Sequence, residues 1–292
     1  MAILTGINTR LRGSIGDYTF ARVNGQTVAS QKVEKKSVPV RSRSQMLVRM
    51  QLANLAHLYQ SFKGNLRLGF EGKAMQVSDY NEFIRTNFNA NQVYLTKGQV
   101  AQGGCVVAAY QLTRGSLSVV NVEFGAGDVP ESDIALGSLS LGSSTTLKAF
   151  SEAVLQNNPG WQQGDQLSVF IARQTVVAAT GVPRVEITSI EVTLDVEADT
   201  TMLGDLIDIT LFGVVDGCLA LAGPVNGAVA IVHSRKTKNG TLVSSQFFVV
   251  SNSYLAQFQS AAAFEAAVKS YGGLTQDEFL TPNEDSIVAP NV

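Results

Sequence analysis

The sequence predicts an α+β protein rich in β-structure. An N-terminal hairpin arm and a two-helix unit precede an antiparallel, sandwich-like β-sheet body with short helices. Two patterns predict this class: a hairpin signal and helical apolar spacing before residue 100, and apolar residues alternating with polar ones after it. The 292 residues are 45% hydrophobic and only 16% charged, which allows a large core and is atypical of disordered chains.

The arm, residues 1–42, is predicted to contain a β-hairpin at 17–33. Two β-prone segments flank Asn24-Gly25, and Asn-Gly is the strongest short hairpin signal because both residues of a type I′ turn need positive φ. A hairpin of this size is only marginally stable alone. We therefore expect the arm to pack on another subunit or partner.

Two helices are predicted next, in a unit spanning residues 43–100. The first is capped by Ser42 or Ser44 and ends near residue 61. Its wide apolar arc has two stripes, one of Val48, Leu52, Leu55 and Tyr59 and one of Met46, Met50, Ala53 and His57. The second helix begins at Ser78.

The β-rich body is predicted as two lobes, residues 101–203 and 204–292. Alternation indicates half-buried strands at 120–124, 167–171 and 207–211. Within residues 185–194 the alternation shifts by one residue at Thr188-Ser189, a pattern typical of a β-bulge. Short helices are predicted at 145–156 and 260–271, followed by a frayed tail from residue 275.

Charge is distributed unevenly. Residues 1–100 carry a net charge of +9 and residues 101–292 a net charge of −11, within an overall −2. The predicted partner-binding residues are the basic ones of the arm and of the start of the first helix, namely Arg10, Arg12, Arg22, Lys32, Lys35, Lys36, Arg41 and Arg43. They can dock on the acidic part of a neighbouring copy, contact nucleic-acid phosphates, or form a solvated surface. Because the remainder is so acidic, protein docking is the leading interpretation.

The hairpin signal occurs twice. Residues 24–31 and 239–246 share Asn, Gly, Val, Ser and Gln at equivalent places. Asn24-Gly25 and Asn239-Gly240 are both predicted as turns, either in a duplicated unit or, as we prefer, as two solutions to the same turn requirement.

Residue patterns typical of catalysis are nearly absent. Cys105 and Cys218 are expected to be inert core thiols, and their number and spacing exclude a disulfide framework or a Cys-rich zinc site. His57 is predicted to be packed on a helix and His233 to be a surface strand residue. No nucleophile-elbow, His-Glu-x-x-His or phosphate-loop motif is present, so neither a catalytic residue nor a cofactor is predicted.

One acidic segment gives a candidate metal site. Asp195, Glu197 and Asp199 alternate as in a calcium loop, but the sixth and twelfth positions hold Thr200 and Leu206 in place of Gly and Glu. A solvated strand end is therefore preferred.

Three groups of motifs suggest a biological setting: Gly13-x-x-Gly16-x-Tyr18 with Arg22-Val23-Asn24-Gly25; Pro39-x-Arg41-Ser42-x-Ser44-Gln45-x-x-x-Arg49; and His233-Ser234-Arg235 with Asn239-Gly240. The chain thereby resembles uncharacterised proteins of Bacteroides-type bacteria and of phages that infect them, mainly over its first sixty residues. The resemblance implies a phage or mobile-element setting and brings no catalytic residues.

The function favoured is that of a non-enzymatic structural or assembly protein, forming homo-oligomers or docking in a larger particle such as a phage virion. A nucleic-acid-binding module using the arm is the alternative, and an unrecognised carboxylate hydrolase is the third possibility. No signal-peptide core is visible, and residues 214–232 suit a strand-turn-strand better than a membrane span. A virion or cytoplasmic location is expected.

Overall fold

The computed structural model describes residues 2–4, 12–23, 26–32, 42–62, 69–74, 76–238, 240–251 and 254–272. Over this part of the chain the protein is α+β and β-rich, and its strands pair antiparallel in several sheets, which confirms the predicted fold class. Contacts divide the chain into two compact units, Met1–Arg41 and Ser42–Val292.

The first unit is a four-stranded sheet. Its strands are β1 (Ala2–Leu4), β2 (Gly13–Ile15), β3 (Tyr18–Val23) and β4 (Gln26–Gln31), in the order β1-β4-β3-β2. The predicted hairpin is confirmed, because Val23 pairs with Gln26 across a two-residue connection. The connecting Asn24 and Gly25 lie outside the described residues.

The second unit opens with helices α1 (Arg43–Phe62), α2 (Asp79–Asn87) and α3 (Lys97–Ala101). The predicted caps of the first two are confirmed: Ser42 and Ser78 accept hydrogen bonds from backbone amides at 3.3 and 3.2 Å. The predicted stripe on α1 is partly wrong, because Val48 and Leu52 are exposed. The polar Asn54 takes a place on the buried face instead, where its side chain binds the backbone of residue 106.

The strands of the second unit are β5 (Gln111–Thr113), β6 (Val122–Phe124), β7 (Pro130–Ala135), β8 (Gln166–Val177), β9 (Val182–Thr193), β10 (Phe212–Val215), β11 (Cys218–Leu221), β12 (Gly227–Thr237), β13 (Gly240–Val243), β14 (Gln246–Phe247) and β15 (Val249–Val250). Its further helices are α4 (Leu147–Asn157), α5 (Leu203–Leu206), α6 (Tyr254–Gln259) and α7 (Ala261–Ser270). Helices α4 and α7 confirm the helices predicted at 145–156 and 260–271. One sheet has the order β13-β12-β8-β9 with β15 also on β12, a second has the order β10-β11-β7-β6, and β14 pairs with β5. No described helix is both long and apolar enough to cross a membrane.

Strand β8 is covered on both faces, so its prediction as a half-buried strand is wrong. Leu167, Val169 and Ile171 pack in a core with α4 and the β10-β11-β7-β6 sheet. Phe170 and Ala172 face a second core shared with α1 and α2. The second core contains side chains from all three predicted segments of this unit, residues 43–100, 101–203 and 204–292.

The phase shift in β9 does not produce the predicted bulge. β9 pairs with β8 in unbroken register from Thr193 to Val182. Ile190 belongs to the first core, whereas Ile187 packs against the second. Because both faces of the sheet are covered, the shift only transfers apolar side chains from one core to the other.

The prediction of a strand at 207–211 is also wrong. Ile209–Leu211 form a 3₁₀ turn, and Asp208 caps it by accepting hydrogen bonds from the Thr210 amide at 3.1 Å and hydroxyl at 2.5 Å. Such a local side-chain bond competes with strand pairing, which apolar alternation alone does not reveal.

Candidate functional site

The predicted partner-binding residues fall into four groups, the last of which is Arg43 alone. Arg12 and Lys32 are exposed in the N-terminal sheet unit. Arg22 lies in β3. The others of the arm, Arg10, Lys35, Lys36 and Arg41, lie outside the described residues.

Arg43 makes an intramolecular contact. Its guanidinium donates two hydrogen bonds to Glu265 of α7, at 2.9 and 2.5 Å, and stands 4.8 Å from the centre of the Phe264 ring. The hydrogen bond with Glu265 raises the pKa of Arg43. Arg43 therefore joins α1 to α7 within the second unit.

Apolar side chains are exposed on one face of the N-terminal sheet, at the end where β2 meets β3. Ile15 and Tyr18 are direct cross-strand partners, so their side chains share one face, and they are 64% and 56% exposed. Phe20, two residues after Tyr18, projects from the same face. We call these three residues the apolar arm face. On the opposite face the hydroxyls of Ser14 and Thr19 lie 3.2 Å apart.

A turn that the sequence analysis missed positions this face. Ile15 pairs with Tyr18, so Gly16-Asp17 connects β2 to β3, and Gly16 has a φ of 57°. Glycine at the first position of a two-residue turn is typical of type II′. The Gly-Asp dipeptide beside Tyr18 was the available signal.

The second predicted Asn-Gly turn differs from the first in register. Thr237 pairs with Gly240, so residues 238–239 connect β12 to β13, and Asn239 lies outside the described residues. Gly240 is the first residue of β13 and has a φ of 140°. The shared sequence therefore sits one residue later in the second hairpin than in the first.

The most concentrated group of ionisable side chains is buried beside the start of β8. Asp165 and His233 are each only 1% exposed and are joined by a 2.7 Å hydrogen bond. The His233 ring stacks on Trp161, with centres 3.9 Å apart and planes inclined by 12°. The prediction that His233 is a surface strand residue is therefore wrong, because β12 is an inner strand and the loop before β8 covers this end of it.

Both carboxylate oxygens of Asp165 accept hydrogen bonds. Its two oxygens accept from Arg235 Nε and Nη2, from His233 Nε2, each at 2.7 Å, and from the Gln162 amide at 2.8 Å. Burial alone raises the pKa of this carboxyl, but hydrogen bonds from Arg235, His233 and Gln162 outweigh it and lower the pKa below its ordinary value. Burial lowers the pKa of His233, so the ring is neutral near pH 7 with its proton on Nε2.

This arrangement shares an Asp–His pair with a catalytic triad but lacks the nucleophile. A triad needs a hydroxyl or thiol on the other ring nitrogen, and no hydrogen-bond partner of His233 Nδ1 lies among the described residues. The nearby Ser244 Oγ accepts from the His233 backbone amide at 3.0 Å instead. Arg235 also donates to the Gly160 carbonyl at 2.6 Å, so the group fastens residues 160–165 to β12.

Glu82 is a second buried carboxylate, and it also serves as a link. It accepts from Arg85 at 2.6 Å and from Arg114 at 2.5 Å. The hydrogen bond from Arg85, assisted by that from Arg114, lowers the pKa of Glu82 against the opposite effect of burial. The pair with Arg114 joins α2 to the end of β5.

The candidate metal site lies in a turn beyond β9, not on a strand. Asp195 Oδ1 accepts from Gln163 Nε2 and from the Glu197 amide, both at 2.9 Å, and Asp199 is exposed. Among the described residues, no three His, Cys, Asp or Glu side chains are grouped so that they could hold a metal ion.

The two cysteines and His57 lie in the second unit. Burial raises the pKa of the Cys105 thiol to about 11, which disfavours the reactive thiolate, while Cys218 is half-buried. His57 is half-buried on α1, and its Nδ1 lies 3.1 Å from the Gly104 carbonyl oxygen.

No protein-family model, curated protein or solved structure matches this chain. We therefore infer its function from its own residues.

Proposed function

We propose that the chain is a non-enzymatic structural protein that assembles through its N-terminal sheet, with another copy or another subunit of a larger particle as the partner. The observation that carries the proposal is the apolar arm face, which presents Ile15 and Tyr18 to solvent on a separate small unit, Met1–Arg41.

The size of that unit supports docking. A unit of about 40 residues buries too little apolar surface to be stable by itself and needs a staple or a partner. An exposed apolar surface rimmed by polar groups marks an interaction site, and Tyr and Phe are enriched in the cores of protein interfaces. Covering Ile15 and Tyr18 would supply the missing burial.

The buried ionisable groups support a structural role. Asp165 and Glu82 are each bound by arginine, so both carboxylates already have the ionic partners that burial requires. The N-terminal motifs that resemble proteins of Bacteroides-type bacteria and their phages favour a virion as the particle.

The oligomeric state in solution tests the proposal. Sedimentation or light scattering should show a mass that rises with protein concentration, and replacing both Ile15 and Tyr18 by Ser should shift the equilibrium to monomer. The matched control is Phe247→Ser, because Phe247 is similarly exposed but belongs to the second unit. A wild-type chain that stays monomeric at every concentration and in every salt would overturn self-assembly, and unchanged assembly of the double variant would overturn the role of the arm.

The same face favours one other candidate function, binding of single-stranded nucleic acid. Tyr18 and Phe20 occupy alternate positions on one strand, with the exposed cations Arg12 and Lys32 in the same unit, and aromatic rings beside cations form stacking platforms for bases. In that case, affinity for a labelled oligonucleotide should fall with salt, with a log–log slope of about −0.7 per phosphate neutralised. Replacing Arg12 and Lys32 by Ala should reduce that slope. We expect little binding at physiological salt.

A further inference from the structure

We infer that the surface around Met202 and Leu206 is the acceptor for the N-terminal sheet of a second copy. This inference rests on the proposed assembly function, which it deepens by naming the surface that the arm binds.

The acceptor has an exposed apolar centre on a well-held segment. Met202 and Leu206 are 38% and 52% exposed and stand at the two ends of the single turn of α5, Met202 as its N-cap and Leu206 as its last residue. Leu203 between them is buried in the first core. The Leu203 amide donates to the Thr145 carbonyl at 2.9 Å, and the Leu147 amide donates to the Thr201 carbonyl at 2.8 Å. These backbone hydrogen bonds and the burial of Leu203 hold the segment in place, with the Met202 and Leu206 side chains exposed to solvent.

The surroundings of this centre are acidic. Residues 195–210 contain five acidic residues and no Lys or Arg. Four of the five are exposed: Glu197, Asp199, Asp205 and Asp208. Lys148, whose amide donates to the Ala198 carbonyl, is a half-buried cation on the adjoining helix α4. The net local charge is negative.

The N-terminal sheet has the complementary composition. Residues 1–42 contain seven basic and two acidic residues, and Arg12 and Lys32 are exposed in the unit that carries the apolar arm face. An apolar centre inside a charged rim is typical of protein interfaces, and opposite rim charges steer and orient association. Both surfaces belong to the same chain, so a second copy supplies the occupant.

Charge distinguishes this acceptor from another exposed apolar pair. Val48 and Leu52 on α1 are 46% and 43% exposed and also lie four residues apart. Helix α1 contains no acidic residue, and the exposed Arg49 adjoins Val48, so this surface lacks the acidic rim that would attract a basic arm. The pair thus provides a control of similar exposure and the same sequence spacing.

The geometry of such an assembly follows from the two surfaces. The arm of one copy binds a different surface on the next copy, which is a head-to-tail contact. Contacts of this kind build closed rings or open chains, and either form is suited to a particle made of repeated subunits.

A charge exchange between two variants tests the inference. One chain carries Asp199→Lys and Asp205→Lys, and the other carries Arg12→Glu and Lys32→Glu. Asp208 is left intact because it caps the 3₁₀ turn. Each variant alone should associate at least about tenfold more weakly than wild type, since like charges then face each other. A mixture of the two should regain association to within a few-fold of wild type, because each arm again meets an acceptor of opposite charge.

A second pair of variants tests the apolar centre. Met202→Ser with Leu206→Ser should weaken self-association, whereas Val48→Ser with Leu52→Ser should leave it unchanged, and denaturation midpoints report whether each variant is folded. If the wild type and all acceptor variants assemble equally while the arm variant does not, the acceptor lies elsewhere and the proposed function stands. If the wild type never self-associates, this inference fails, and the proposed function stands only with another subunit as the partner of the arm.

Discussion

Asp165 and Arg235 form a bidentate ion pair. Nε of Arg235 donates to Oδ1 of Asp165 and Nη2 donates to Oδ2, each at 2.7 Å. The carboxylate is buried and the guanidinium is partly exposed. Two parallel charge-assisted hydrogen bonds fix the relative orientation of both groups. This pair therefore holds the loop at 160–165 against β12.

Asp165→Asn should lower the free energy of unfolding by about 3–5 kcal/mol, because removing one partner of a buried pair leaves the other without its counter-charge. Chemical denaturation near neutral pH measures the change. The matched control is Asp205→Asn at an exposed position, for which we expect less than about 0.5 kcal/mol. Equal losses in the two variants would contradict a specific role for the ion pair.

Stability should also depend on pH through His233. Burial lowers the pKa of this ring below its ordinary 6.5, so at mildly acidic pH the unfolded chain binds a proton that the folded chain does not. Stability contributed by neutral His233 is therefore lost as pH falls below about 6.5. The lowered pKa of Asp165 acts in a separate window, since its contribution is lost only as pH falls through its ordinary 3.8 and below.

The free energy of unfolding measured between about pH 7.5 and about pH 5.5 isolates the histidine effect. His233→Gln should flatten the dependence on pH, whatever its effect on absolute stability. A slope that is the same in this variant and in wild type would assign the dependence to other groups.

Local signals predicted the elements that depend on local chemistry. Asn24-Gly25 marked the hairpin of β3 and β4, and Ser42 and Ser78 marked the starts of α1 and α2, because turns and caps are formed by neighbouring residues. The burial of β8 on both faces could not be predicted from such local signals. Alternation at Leu167, Val169 and Ile171 shows one apolar face but not whether helices cover the other.

The cluster at His233 shows the same limit. His233 and Arg235 alternate along one strand, so their shared face could be predicted from sequence. Their partner Asp165 lies about seventy residues earlier, and it meets them only because Ser234 of β12 pairs with Gln166 of β8. Such a long-range register is set by the packing of both cores and not by a local motif.

Phe170→Ala should cost about 3–5 kcal/mol of stability, the range for removing a buried Phe side chain. Phe170 is buried in the second core, whereas a half-buried strand with Leu167 and Val169 inward would leave it in solvent. Denaturation of this variant and of Phe247→Ala, at an exposed position, distinguishes a buried Phe170 from a solvent-exposed one. A cost below about 0.5 kcal/mol for both would contradict a second core on this face.

Gly16→Val should weaken self-association without lowering the stability of the second unit. Gly16 has a φ of 57° in the turn between β2 and β3, and a β-branched residue is strained there. Opening the turn removes Ile15 from its place beside Tyr18 and so disrupts the apolar arm face. The second unit keeps its own two cores, so its denaturation should be unchanged while self-association weakens.

Gly240→Val provides the matched comparison. Gly240 also has positive φ, at 140°, but pairs with Thr237 at the start of β13 in the central sheet of the second unit. There the strain should lower the free energy of unfolding of that unit by about 1–3 kcal/mol, while the arm keeps its turn. Suppose that Gly16→Val destabilised the second unit as much as Gly240→Val and left the mass in solution unchanged. The arm would then act as part of the folded body, and assembly through Ile15 and Tyr18 would lose its physical basis.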